Sequence, residues 1–300
     1  VYLNHSPERC PKQSLSAIML TMRLALYRKY RPKKLEELLG QETNVEILKN
    51  AAREDRIGHA YLFYGPRGSG KTTTARLLAK LLNCKKREED LKFRALGEPC
   101  NACSSCAEID GGAAFDLIEI DAASNRGIDE IRDLKESIMT GPAHHRFKVY
   151  IIDEAHMLTR EAMNAILKTL EEPPRHAVLI LATTEYEKLP PTVTSRTQRF
   201  LFKKLPKTVI VGKLEMIASA EKINADSAAL ELIAAAGEGS LRDAESLLDQ
   251  LSSLETAITL ETVEQLTGRV GFKKVAALAE LILQNDLAST LAYLAVVSDE

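Results

Sequence analysis

Four residues at fixed spacing could hold a polyphosphate. Gly65, Gly70, Lys71 and Thr72 fit G-x-x-x-x-G-K-[ST] within the run Gly65, Pro66, Arg67, Gly68, Ser69, Gly70, Lys71, Thr72, Thr73. Gly65, Gly68 and Gly70 let the backbone take positive φ angles and come close to a ligand. The N–H groups of such a turn, with the first turn of the helix that follows, form a nest for phosphate oxygens. Lys71 is placed to reach the β- and γ-phosphates, and the Thr72 hydroxyl to hold Mg²⁺. A glycine loop before a helix can also bind nothing. Here an apolar, β-rich run from Ala60 precedes the loop and a strong helix former follows to Leu82, the context the chemistry requires.

A second group lies about eighty residues on. The run KVYIID ends in Asp153 and Glu154. Alone, an apolar run closed by two carboxylates is often only a strand end. After a phosphate-binding loop it matches the second half of a P-loop nucleotide hydrolase, with Asp153 in the Mg²⁺ shell and Glu154 orienting or deprotonating the attacking water. A third group is Cys84, Cys100, Cys103 and Cys106, spaced C-x15-C-x2-C-x2-C. Two overlapping C-x2-C pairs and a fourth thiolate make a tetrahedral S₄ set for structural Zn²⁺, with no histidine nearby for an open catalytic position. Lys85–Pro99 between them reads as an exposed loop; Cys10 has no evident partner.

These groups need a scaffold. Strands are predicted at the run before the loop, at Phe115–Ile120, Lys148–Ile152, His176–Thr184 and Arg199–Phe202. Helices are predicted after the loop, at Thr43–Glu54, Gly127–Ile138 with Ile128, Ile131, Leu134 and Ile138 on one face, and Glu161–Leu170, ended by Pro173 and Pro174. Five strands alternating with helices give an α/β fold with a mostly parallel, doubly wound sheet and the ligand at the strand C-termini. From Pro206 the strands stop. Val209–Ala220, Ser227–Ala236 and Leu241–Leu251 read as a small helical domain, with Gly237, Gly239 and Ser240 leading into its last helix. Gly271–Gln284 and Leu287–Val297 begin a further helical segment.

Ahead of the first strand, Ala25–Glu42 carries a basic cluster of Arg28, Lys29, Arg31, Lys33 and Lys34, with Pro32 stopping any preceding helix. It reads either as a solvated face or as a segment wrapping over a bound base, with Tyr27 or Leu38 and Leu39 giving apolar contact. The 300 residues suggest about two domains, and 45% hydrophobic with 27% charged residues is ordinary for a soluble globular protein. A net charge of -2 argues against a general nucleic-acid coat, so any DNA contact needs a local patch or an assembly. No run reaches the roughly 18 apolar residues of a membrane helix. Five cysteines without an export signal point to a reducing, cytoplasmic compartment. Residues 1–22 read as a disordered leader or a misassigned start, with Met19 or Met22 as alternatives.

The combination resembles the AAA+ ATPases and, more narrowly, the gamma/tau motor subunits of the bacterial DNA polymerase III clamp loader. The residues carrying it are ALYRKYRPKKLEELLGQE, HAYLFYGPRGSGKTTTARLLAK, the four-cysteine module, IEIDAASNRGIDEIRDL, FKVYIIDEAHMLTREAMNAILKTLEEPP, LATTE, LPPTVTSR and GSLRDAESLLDQL, from Leu24 to about Leu266. The resemblance implies an AAA+ domain over 23–205 with a zinc module at 84–106, a helical lid over 206–268 and the start of a helical collar over 269–300, cut short. It implies ATP, Mg²⁺ and Zn²⁺ as cofactors. It implies roles for Thr184, with Thr183 as its neighbour, as first sensor of the γ-phosphate, and for Arg242 as second sensor from the lid. Arg196, in a Ser-Arg-Thr run where the family has Ser-Arg-Cys, is implied as an arginine finger on a neighbour's ATP. The base-contacting set becomes Tyr27, Arg28, Arg31, Pro32, Leu38 and Leu39. Implied partners are the other subunits of a hetero-pentameric ring, the sliding clamp, primer-template DNA and the polymerase III core, with no membrane. The family is catalogued under DNA-directed DNA polymerase, yet nothing here resembles a polymerase carboxylate site. Two rival readings are a non-hydrolysing subunit of the same assembly, against which Lys71, Thr72, Asp153 and Glu154 argue, and a Holliday-junction motor, against which the cysteine insertion argues.

Overall fold

The computed structural model describes residues 24–124, 128–254, 256–268 and 272–299. The expectations for residues 1–22, for Cys10 and for the Ile128 and Ile131 side chains lie outside the described residues. In chain order the elements are α1 (Leu26–Lys29), α2 (Glu42–Arg53), β1 (Ala60–Tyr64), α3 (Lys71–Asn83), α4 (Lys85–Glu89), α5 (Leu91–Arg94), α6 (Ser104–Gly111), β2 (Leu117–Asp121), α7 (Ile128–Met139), β3 (Lys148–Asp153), α8 (Arg160–Glu171), β4 (Ala177–Thr183), α9 (Pro191–Thr194), β5 (Gln198–Leu201), α10 (Lys207–Glu221), α11 (Ser227–Ala236), α12 (Leu241–Leu251), α13 (Leu260–Thr267), α14 (Phe272–Leu283) and α15 (Leu287–Asp299).

The five strands form one sheet in the order β2-β3-β4-β1-β5, and every pair is parallel. The expected mostly parallel sheet is therefore wholly parallel. All seven residues of central β4 are buried, whereas edge strand β5 buries only Phe200, as expected of strands covered on both faces against strands at an edge. Alternate residues sort the core. Tyr61, Phe63, Val149, Ile151, Val178 and Ile180 face α2 and α3. Leu62, Tyr150, Ile152, Leu179 and Leu181 face the other way, against α7 and α8. Phe63 sits with ring centroids 5.5 Å from Phe200 and 5.3 Å from Phe202, which ties β1 to β5 by contacts worth roughly 0.5–1.5 kcal/mol each.

Local sequence sets the helix starts near the site. Gly70 has φ 98° as the residue before α3, and Thr74 Oγ1 donates back to its carbonyl at 2.9 Å. Thr159 accepts from Ala162 N at the start of α8, and Ser240 accepts from Asp243 N at the start of α12. The helices α10 to α13 close a separate core with Ile210, Leu214, Ile233 and Leu248. Leu26 of α1 belongs to that core, its N–H donating to Asp249 Oδ2 at 3.2 Å, so the N-terminal segment strides from the sheet to the lid.

The structure departs from expectation in several places, α6 among them. Lys85–Pro99 is no open loop: α4 and α5 fold there, Asp90 caps α5 by accepting from Lys92 N and Phe93 N, and Arg87 is buried. Arg87 donates from its two terminal nitrogens to the carbonyls of Leu81 and Ala52, partners for a cation that its charged neighbours made look solvated, while its Nε is buried without one. Phe115 lies before β2 and is 77% exposed. Helix α13 was not anticipated; Thr259 caps it by accepting from Thr262 N, and Ala225 and Ile258 bridge beside it.

Candidate functional site

The strand register brings the phosphate loop and the two carboxylates together. Tyr64 pairs with Thr183, and Ile152 with Leu181, so β1, β3 and β4 end side by side. Parallel sheets bind ligands beyond these C-terminal ends. Gly65 leaves β1 with φ 142° and donates its N–H to Thr183 O at 3.2 Å; a Cβ there would fall 2.1 Å from Phe202 O. A Cβ on Gly68 would fall 1.8 Å from Ser240 Oγ, so only glycine lets the loop pass under the start of α12.

Thr72 Oγ1 donates to Asp153 Oδ2 at 2.7 Å. That pair presents oxygens of the type that a hard cation takes. Lys71 turns its ammonium onto Gly65 O at 2.8 Å and Pro66 O at 2.9 Å, and burial lowers its pKa while Glu154 and Asp153 oppose the shift. Glu154 sits in the left-handed region, φ 48°, which few non-glycine residues adopt and which turns it off the strand. Its Oε2 accepts from Thr184 Oγ1 at 2.8 Å and Thr184 N at 3.2 Å. Thr183 is fully buried and faces elsewhere, its hydroxyl 2.9 Å from His156 Nδ1. Of the two threonines, Thr184 faces the acid.

His156 was missed from the sequence. It stands 3.1 Å from Glu185 Oε1 and 3.5 Å from Glu154 Oε2. Its placement two residues after Glu154, at the end of the Asp-Glu-Ala-His run, was the available signal.

A pocket opens between the phosphate loop, the N-terminal segment and the lid. Of the residues named from the sequence, Tyr27, Arg31, Pro32, Leu38, Leu39, Gly68, Ser69, Gly70, Thr73 and Arg242 line it, together with Glu37, Leu205, Lys213, Leu241 and Glu245, which the sequence did not single out. Arg28 is not brought there: its guanidinium bonds to the Tyr27 hydroxyl on the surface, at 3.1 Å. The basic cluster thus divides. Arg31 enters the pocket, while Lys29 pairs with Glu221 and Lys34 with Glu36 outside it. Arg242 lies over the Tyr27 ring, 4.9 Å from its centroid, closing the lid side. Burial lowers the Arg31 pKa, with Arg76, Arg242 and Arg28 adding to it. Burial pushes the Glu245 carboxyl up to about 7 against the pull of Lys213 and Arg31.

Arg196 is elsewhere. It precedes β5, whose Gln198 pairs with Tyr61 at the start of β1, the end of the sheet away from the phosphate loop. Its guanidinium contacts Glu171 Oε1 and Thr192 O, each at 2.8 Å, beside Gly58 and His59.

The sulfurs of Cys84, Cys100, Cys103 and Cys106 all lie within 4.8 Å of one another. Zinc–thiolate bonds of about 2.3 Å imply S···S edges of roughly 3.8 Å, and Cys100 and Cys106 are 4.0 Å apart. Backbone N–H groups of Cys100, Ala102 and Cys103 donate to these sulfurs at 3.2–3.4 Å, which favours thiolates. The Cys84 thiol is pulled down to about 4, chiefly by its bond with Cys106, which is raised in turn by that bond and by burial. The donor set fits a structural Zn²⁺. Lys80, 1% exposed, binds both Asp110 oxygens at 2.8 Å and fastens α6 of this module to α3.

Comparison with known proteins agrees with this geometry. Residues 40–206 match the family model described as DNA polymerase III, delta subunit, and 209–252 match DNA polymerase III clamp loader subunit, ATPase lid domain. The chain is 46% identical over 268 residues to DNA polymerase III subunit tau of Bacillus subtilis, covering 89% of this chain and 46% of that one. It is 45% identical over 260 residues to the tau subunit of Escherichia coli, covering 86% and 39%. The chain therefore spans less than half the length of these relatives. The solved Thermotoga maritima RuvB Holliday junction branch migration motor superposes with a TM-score of 0.55 over 87% of this chain and 85% of that one, at 18% identity, a likeness of AAA+ fold alone. With a subunit model over more than half of the residues and the lid model directly after it, the chain belongs to the gamma/tau family of DNA polymerase III clamp-loader subunits.

Proposed function

We propose that this chain binds and hydrolyses ATP as a motor subunit of a clamp loader, acting in the cytoplasm on a sliding clamp and primer-template DNA in a ring with other subunits. The observation that carries the reading is the Thr72–Asp153 hydrogen bond of 2.7 Å at the strand ends, beside Glu154 and under the phosphate loop. A non-hydrolysing subunit has no use for all of these groups.

The residues divide the work. The loop N–H groups and Lys71 bind the phosphates. Lys71 exchanges two carbonyl partners for charged oxygens, which gives its buried ammonium a counter-charge. Thr72 and Asp153 are the residues that would hold Mg²⁺, which when bound neutralises charge on the β- and γ-phosphate oxygens. Thr184 offers its hydroxyl to the γ-phosphate and so releases the Glu154 carboxylate. Glu154 then accepts a hydrogen bond from the attacking water and aligns it with the γ-phosphorus, opposite the leaving oxygen. Arg242 reaches the phosphates from the lid, so nucleotide binding draws α12 toward the sheet. Arg196 acts in trans on a neighbouring subunit. Cys84, Cys100, Cys103 and Cys106 are the residues that would hold Zn²⁺, which would organise the module without taking part in hydrolysis. No helix among the described residues is long and apolar enough to cross a membrane.

The test separates binding from turnover. Lys71→Ala should weaken ATP binding by roughly tenfold or more, because a charge-assisted contact is lost. Glu154→Gln should bind ATP as before and turn over slowly. Equal loss of nucleotide affinity in both variants would contradict the assigned roles.

A further inference from the structure

Glu245 has no place in the phosphate chemistry, yet it occupies the pocket. It is 4% exposed, and its Oε1 is buried with no hydrogen-bond partner. It lies three residues after Arg242 on α12, so both side chains leave one face of the helix, and both line the pocket that the phosphate loop closes from below. Lys213 of α10 and Arg31 of the N-terminal segment act on Glu245 through space, and Glu37 and Arg242 line the same pocket. A buried acceptor left unpaired is costly in the free protein, so its persistence calls for a ligand that completes it.

The chemistry of the pocket selects that ligand group. A carboxyl repels phosphate, so its complement is a hydrogen-bond donor remote from the phosphates. Leu38, Leu39 and Leu241 give apolar walls that suit a planar base. We propose that Glu245 reads the nucleobase: its unpaired oxygen accepts a hydrogen bond from the exocyclic amine of adenine and makes the site selective for purines that carry that amine. The inference rests on the nucleotide-binding reading above and adds a specificity residue to it. In either protonation state one carboxyl oxygen accepts from the amine, and the protonated form also donates to the adjacent ring nitrogen.

The experiment is calorimetric titration of the purified protein with ATP, with purine riboside triphosphate, which lacks the amine, and with 2′-deoxy-ATP. The wild type should prefer ATP over purine riboside triphosphate by roughly ten- to a hundredfold, the worth of a hydrogen bond to a charged acceptor. It should bind ATP and 2′-deoxy-ATP about equally. Glu245→Leu should bring the first ratio close to one, and Glu245→Gln, whose amide oxygen still accepts, should keep most of it. A ratio near one in the wild type, or a ratio that survives Glu245→Leu, overturns the inference while ATP binding itself stands. A preference for ATP over 2′-deoxy-ATP that Glu245→Leu removes assigns the residue to the sugar and overturns it equally. Failure of the wild type to bind any of the three overturns the nucleotide reading and this inference with it.

Discussion

Thr184 holds Glu154 by two donors at once, its hydroxyl at 2.8 Å and its N–H at 3.2 Å from the same carboxylate oxygen. An acid engaged this way has less free to offer a water. On the function proposed above, an arriving γ-phosphate competes for this hydroxyl and would leave the backbone N–H alone on Glu154. On that reading, nucleotide arrival and release of the acid are one event. Thr184→Val, which keeps the shape and the N–H, should lower kcat by roughly ten- to a hundredfold while the ATP dissociation constant stays within a few-fold. Steady-state hydrolysis measured with equilibrium binding checks this. A variant that loses affinity and keeps kcat would assign Thr184 to ground-state binding instead.

The cysteine module gives a prediction independent of hydrolysis. Purified protein should carry about one Zn²⁺ per chain, because four sulfurs already lie at near-tetrahedral separation and backbone N–H groups favour their thiolates. Cys103→Ser should lose the metal and unfold the module locally. Nucleotide binding should persist, since the phosphate loop precedes α3 and the module follows it. Elemental analysis and ATP titration of the same samples decide it; a folded, metal-free protein with four reactive thiols would refute the site.

What could be read from the sequence, and what could not, follows the range of the interactions. The phosphate loop, the Asp153–Glu154 pair and the cysteines are short-range patterns, each carried by one strand end or one insertion. Three of the lid helices were legible because 3.6-residue periodicity and Ser240 are local. Glu245, Lys213 and Leu241 were not, because their role exists only when α12 and α10 fold back over a segment some two hundred residues earlier. Glu245 also sits in a helix with two other acids, exposed Asp243 and half-buried Asp249, so composition gives no hint of which one is buried. Arg87 misled for the same reason: its two carbonyl partners lie on separate elements, one of them in α2. Arg28 and Arg31 differ by three residues and part company at the pocket wall.

Glu245 also predicts a pH dependence of stability. Its pKa rises from the ordinary 4.5 to about 7 in the fold, chiefly through burial. The folded protein therefore holds this proton more tightly than the unfolded chain. The stabilisation is complete below about pH 4.5 and is lost as pH rises through about 7, where the ionised carboxyl is buried and Lys213 and Arg31 offset the cost only in part. Removing the carboxyl should relieve that cost. Glu245→Leu in the absence of nucleotide should be more stable than the wild type by roughly 2–3 kcal/mol at pH 8, with the gain shrinking toward pH 5. Urea unfolding at the two pH values measures it. A difference independent of pH would mean that packing, not ionisation, sets the effect.

Arg196 tests whether the site is complete within one chain. Its side chain is 36% exposed and is held by Glu171 and Thr192 at the start of β5, while the phosphate loop leaves the opposite end of neighbouring β1. With the guanidinium anchored there, it does not reach the phosphates of its own pocket. A guanidinium supplied by a neighbouring subunit stabilises charge on the transferring phosphoryl group by roughly 10³–10⁵ in rate and adds much less to ground-state affinity. Hydrolysis by the isolated chain should therefore be slow even when ATP is bound, and assembly into a ring should raise it. In that ring Arg196→Ala should remove most of the gain and leave each chain's ATP affinity within about twofold. Mixed rings locate the defect. An Arg196→Ala chain placed beside a wild-type chain should silence the neighbour's site and spare its own, which a Lys71→Ala substitution in one or the other chain makes countable. A defect that stays with the mutated chain's own site, or an isolated chain as fast as the ring, would show that the arginine works in cis or only braces Glu171.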